Sequence, residues 1–250
     1  MLTHPQLAVA LGGADCEAWR PGLLHQPVNA LSSLAFAVAG VWVAVRPGAG
    51  RADRVGGAVY AGALIANGVG SFLYHGPGWP GAALVHDAAI QAALAFIAVE
   101  DVALLRGWTS RRRLRVYALG LGVAWSALAL VPTAGVAVTA LTGTLAATAE
   151  VWAAVAAARH RDHEARPRLP RAPAVLALAI AGLAGAALLA GRTESSLCRP
   201  DSLLQGHALW HMLAAAALLG WDRSRRARRA AAGRPGAVRS PAPWDGPRSR

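Results

Sequence analysis

Seven apolar stretches constrain this chain more than any other feature. They run over about 28–46, 55–75, 82–105, 115–132, 133–158, 172–191 and 204–221, and each is long enough, or nearly so, to cross a bilayer as a helix. No strand-like alternation competes with them, and alanine and glycine recur throughout, as close helix packing in a membrane requires. With 55% of its 250 residues hydrophobic and only 15% charged, the chain has a membrane composition. The expected fold is all-α, a polytopic membrane protein whose seven-transmembrane-helix bundle occupies 28–221. Residues 1–27 precede the bundle, and an Arg-, Ala-, Gly- and Pro-rich tail over 222–250 is expected to be solvated and disordered. The fourth and fifth stretches meet at Pro132-Thr133, where the boundary is least defined.

Charge placement orients the bundle. All 25 basic residues are arginines, and they are distributed unevenly. Arg46, Arg51 and Arg54 follow the first stretch, Arg106 to Arg115 follow the third, Arg159 to Arg171 follow the fifth, and nine more lie in the tail. The opposite side carries only Arg20, Arg192 and Arg199. The positive-inside rule then predicts an N-terminus outside and a C-terminus in the cytoplasm. The +12 charge follows from that topology and from anionic headgroups at the cytoplasmic face, without a nucleic-acid partner. Residues 1–27 hold Asp15, Glu17 and several prolines but no long apolar core, so they do not read as a signal peptide. The sequence names no protein partner.

This orientation gathers distant polar residues at the outer face. Asn29 opens the first helix, Ser71 and His75 share a face at the end of the second, and Asp87 opens the third. His207 and His211, four apart on the last helix, also share a face. Three histidines with a carboxylate and a serine suit a catalytic zinc site, with imidazoles as ligands and the fourth position left open. Soluble zinc proteases place a Glu directly after the first histidine of such a pair, where this chain has Ala208. The base must then come from elsewhere, and Asp87 is the candidate. His86 is an alternative ligand, although its side chain points about 100° away from that of Asp87 on the same helix. The competing reading is a set of hydrogen-bonded packing histidines. Asn29, Ser32 and Ser33 read ordinarily as caps or helix–helix hydrogen bonds. Toward the other face, Glu100 and Asp101 are expected to meet Arg106, and Glu150 lies near the end of the fifth helix.

The two cysteines, Cys16 and Cys198, both fall on the outer side, where an oxidising compartment would let them pair. The bond would tie the N-terminal segment to the loop feeding His207. Two unpaired thiols are the alternative, and the test is whether the Cα atoms lie within about 7 Å.

Gly70-Ser71-Phe72-Leu73-Tyr74-His75, then Asp87, then His207-Ala208-Leu209-Trp210-His211 resemble the alkaline ceramidase family. That family belongs to a superfamily of seven-helix membrane hydrolases that includes the adiponectin-receptor-like proteins. The resemblance extends to Cys16-Glu17 and to Asn29-Ala30-Leu31-Ser32-Ser33-Leu34, and so spans nearly all seven helices. It implies that His75, His207 and His211 bind Zn2+, that Ser71 orients water or holds the oxyanion, and that Asp87 shuttles the proton of amide hydrolysis. It also implies an acidic N-terminal calcium site, with Glu17 at one ligand position and Asn29 nearby. Here, however, Gln26 stands where a second acidic ligand is expected, Trp19 replaces an asparagine, and Asp15 is one place out of register. These departures weigh against Ca2+. The arginine-only, alanine-rich composition suggests a bacterial member in the inner membrane, where ceramide itself need not be the substrate.

Three functions compete: a zinc-dependent lipid amidase, a receptor or sensor of the same fold with a structural zinc, and a transporter or light-driven protein. The lack of lysine rules out a retinal Schiff base. A transporter would more often break its helices at the bilayer midplane. Asp87 and Ser71 favour the enzyme, because a structural metal needs no spare acid and hydroxyl beside it.

Overall fold

The structure is a computed structural model and describes residues 15–46, 51–159 and 172–232. Seven helices account for most of them: α1 (Pro27–Val45), α2 (Arg51–His75), α3 (Ala82–Leu105), α4 (Ser110–Leu130), α5 (Gly135–Arg159), α6 (Ala172–Ala190) and α7 (Gly206–Ala232). Among the described residues the only β-type pairing is an isolated bridge between Asp15 and Arg192. The first five helices are long and apolar enough to cross a membrane. Large apolar side chains such as Leu119, Val123, Leu130, Val136, Leu183 and Leu189 stand exposed on the bundle, as a lipid-facing surface requires.

Small residues set the packing. α1 lies on α2 so closely that a Cβ at Gly68 would sit 2.9 Å from Ala37 Cβ, and one at Gly40 2.7 Å from Ala61 O. α1 also packs on α7, α7 on α6, α2 on α3, and α3 on both α4 and α5. α4 starts at Ser110, five residues before the expected 115, because Thr109 Oγ1 accepts from Arg112 N at 3.3 Å and caps it. It stops at Leu130, and a 3-10 turn over Pro132–Ala134 leads into α5. Pro132 disfavours helical backbone at the residue before it and lacks the N–H that α4 would need to continue.

The largest departure from expectation is α7. It was expected to end at 221 and give way to a solvated tail, yet it stays helical through Ala232. Asp222, fully buried, takes Arg225 and Arg226 at 2.8 Å each, one turn further along the helix. Other arginines of this run reach acids on other helices. Arg225 and Arg229 meet Glu100, while Arg228 pairs with Asp101 at 3.0 Å and with Glu150 at 2.7 Å. Arg113 of α4 joins the same group at 2.9 Å from Glu100. Glu100 and Asp101 therefore meet the α7 arginines and Arg113, and Arg106 lies instead over the ring of Trp152, 5.6 Å from its centre. The rest of the expected tail, 233–250, lies outside the described residues.

A cluster of Tyr60, Phe96 and Trp221 packs just inside this ionic layer, and Trp221 Nε1 donates to Asp101 Oδ2 at 3.1 Å. The aromatic cluster and the charged layer lie together toward one end of the bundle. The histidines occupy the other end.

Candidate metal centre

Two helices deliver the histidines. His75 is the last residue of α2, and His207 and His211 occupy the first turns of α7. The segment before α1 runs along the end of α2, with His25 N and Gln26 N donating to Gly76 O and His75 O at 2.9 Å each. The three rings then face one another, with centres 4.6 to 5.3 Å apart. One nitrogen from each lies within 4.8 Å of the others, a cluster that could hold a metal ion.

The neighbours decide which nitrogen faces inward. Gln26 Nε2 donates to Glu17 O, so its Oε1 is left to accept, and it accepts from His75 Nδ1 at 2.8 Å. Ser32 Oγ donates to Asn29 O, so it in turn accepts from His211 Nδ1 at 3.0 Å. Asp15 Oδ1 lies 3.0 Å from His207 Nδ1. The bonds to Gln26 and Ser32 place the proton of His75 and His211 on Nδ1 and leave each Nε2 with its lone pair, while His207 Nδ1 faces the Asp15 carboxylate without a hydrogen bond. His75 Nε2 and His207 Nε2 are buried with no hydrogen-bond partner among the described residues. Among the described residues, His211 Nε2 meets Ser71 Oγ at 3.4 Å. Buried lone pairs without a donor are costly, and a cation between them removes the cost. The donor set and its outer bonds therefore fit a metal.

The other expected residues fall out differently. Ser71 stands beside the triad. Asp87 does not reach it directly: Oδ1 bonds His86 Nδ1 at 3.0 Å, and Oδ2 fills the space beside the Cα of Gly135 on α5. His86, stacked on Tyr74 with ring centres 4.7 Å apart, lies 6.0 Å from the His75 ring centre and holds Asp87 through Nδ1. Glu17 takes the N-terminus of α1, accepting from Val28 N and Asn29 N at 2.8 Å each. Burial lifts its carboxyl above the usual carboxylate range, against the pull of those two amides. The Asn29 side chain is buried with no hydrogen-bond partner among the described residues. The expected disulfide is present: Cys16 and Cys198 are bonded, with Cα atoms 5.4 Å apart.

The sequence singles out Asp15, Gln26, Ser32 and His86, but in other roles: as a displaced or missing calcium ligand, as a cap or helix–helix bond, and as an alternative metal ligand. Their contacts to His207, His75, His211 and Asp87 were not legible in it. An apolar cavity of about 400 Å³ opens beside the triad at Ser71, His86 and His211. It runs down between α5 and α6 to Glu150 and Trp221 at the ionic layer. No family model matches this chain, and a search of curated proteins found no match to it.

Proposed function

We propose that this chain is a zinc-dependent membrane amidohydrolase that cleaves the amide bond of a lipid, with seven spanning helices and its site toward the outer face. The observation that carries this reading is the continuity between the histidine triad and a long apolar cavity. Cavities of 300–1,000 Å³ are the usual size for small ligands, and one lined mostly by apolar side chains suits an acyl chain. α6 and the apolar first half of α7 complete a seven-helix count, and the arginine asymmetry supports an N-terminus outside.

His75, His207 and His211 would hold the zinc through Nε2. Bound zinc would supply Lewis acidity toward the amide carbonyl and toward water. The residues of the chain do the rest. The cavity seats the acyl chain and excludes water from it, placing the amide at the triad. Ser71 Oγ, already at His211 Nε2, orients the water or donates to the carbonyl oxygen as charge develops there. His86 lines the cavity, and with Nδ1 held by Asp87 its Nε2 is the atom that passes a proton to the departing nitrogen. This assigns Asp87 the support of His86 in place of direct contact with substrate. The alternative, a receptor or sensor with a structural metal, shares the triad but does not need Ser71, His86 and Asp87 around an open cavity.

The test is metal analysis of purified protein followed by a screen for fatty-acid release from ceramides and other N-acyl lipids. Stoichiometric zinc with release from at least one lipid amide is expected. Zinc without any release across the screen would favour the receptor.

A further inference from the structure

Among the described residues Asp15 is the carboxylate that lies within 4.0 Å of two histidines of the cluster, and neither helix periodicity nor the resemblance gave it a role. Its Oδ1 lies 3.0 Å from His207 Nδ1 and its Oδ2 3.8 Å from His75 Nδ1, with only 11% of the side chain exposed. The contact to His207 has the distance of a hydrogen bond but not its angle, since His207 Nδ1 has no hydrogen-bond partner. The carboxylate thus acts on the ring chiefly by charge. The other two ligands have neutral partners on Nδ1, Gln26 and Ser32. Among the described residues, the group against His207 Nδ1 is the Asp15 carboxylate.

The backbone explains why so short a side chain is positioned there. Asp15 forms an antiparallel bridge with Arg192, and Cys16 N donates to Gly191 O at 2.8 Å. Cys16 is then bonded to Cys198, and Ala18 N donates to Pro200 O at 2.9 Å. Gly191 and Gly206 touch so closely that a Cβ on Gly206 would lie 2.7 Å from Ala187 O, which seats the end of α6 directly on the start of α7. The strand-like bridge, the disulfide and the glycine contact together fix Asp15 beside His207.

The geometry points to Asp15 as the positioning residue of the metal centre, held in register by the Cys16–Cys198 bond. Its carboxylate lies against His207 Nδ1 and contributes the negative charge beside the cluster that a divalent cation favours. This rests on the reading of the triad as a metal site.

The experiment uses the full chain in detergent micelles, with zinc affinity measured by competition against a chelator and the cobalt-substituted spectrum recorded in parallel. Asp15→Asn should weaken zinc binding about 10- to 100-fold and shift the cobalt bands, while Asp15→Glu restores part of the affinity. A purely structural role would leave the cobalt bands in place and show no rescue by glutamate. The Cys16→Ser/Cys198→Ser double variant, with Asp15 intact but its tether cut, should lose affinity in the same direction. Wild-type zinc affinity in Asp15→Asn would overturn the inference. Should that variant fail to fold, wild-type affinity in the folded double-serine variant would overturn the tethering. A wild-type chain that binds no zinc would instead overturn the metal reading itself, and this inference with it.

Discussion

Gln26 Oε1 accepts from His75 Nδ1 at 2.8 Å, while Nε2 of the same amide donates to Glu17 O at 3.0 Å. One side chain thereby ties the cap of α1 to the ligand that ends α2. The bond fixes the tautomer of His75 and points its Nε2 into the triad. Gln26→Leu should weaken zinc binding by about 10- to 100-fold, whereas Gln26→Glu keeps an acceptor and should retain most of it. Chelator competition on the purified variants reads this directly. Equal loss from both would show that the acceptor is not what matters.

Changing all three of His75, His207 and His211 to alanine should abolish stoichiometric zinc, measured by elemental analysis of purified protein. Retention of the metal would place it elsewhere.

The relay predicts a pattern rather than a single loss. Asp87→Asn and His86→Ala should each keep zinc and slow lipid-amide hydrolysis about 10²- to 10⁴-fold. Because the two act in series, the double variant should be little slower than either single one. Multiplying losses would break the relay. Ser71→Ala should also keep zinc and cost about 10²- to 10³-fold.

Blocking the cavity separates substrate binding from metal binding. A Cβ at Gly143 would meet nothing nearer than Leu94 Cδ1 at 3.9 Å, so the backbone tolerates a side chain there. Gly143→Leu should fill cavity space, lower kcat/KM for long-chain lipid amides about tenfold or more, and leave zinc content unchanged. Unchanged kcat/KM would mean that the acyl chain lies elsewhere.

The ionic layer predicts stability. Glu100→Gln removes the buried carboxylate charge shared by Arg113, Arg225 and Arg229, and breaking up this buried ionic group should cost about 3–5 kcal/mol. Arg106→Ala, which loses a contact with Trp152, should cost about 0.5–1 kcal/mol. Chemical unfolding in mixed micelles compares the two. Similar small effects would show that the network contributes little.

Much of this protein was determined by local rules that need no tertiary structure. Runs of apolar residues become helices because a bilayer leaves no other way to satisfy their backbone, which is why α2 and α3 fall where hydropathy puts them. His207 and His211 share a face because a helix turns by a fixed angle, and Cys16 and Cys198 pair because both flank the same end of the bundle. Tertiary structure decided what depends on where one helix meets another. The Arg-rich run after Trp221 looks like a solvated tail until Glu100, Asp101 and Glu150 arrive from α3 and α5 to receive it. Asp87 looks like a residue aimed at the metal until the rotation of α3 turns its carboxylate toward Gly135 and leaves His86 at the cavity. Asp15, Gln26 and Ser32 are ordinary polar residues in sequence. They become the outer partners of His207, His75 and His211 only because a disulfide, a helix end and a helix face bring each within reach of one imidazole nitrogen. Polar contacts of this kind act over about 3 Å, and no pattern along a single chain specifies separations that small between distant segments.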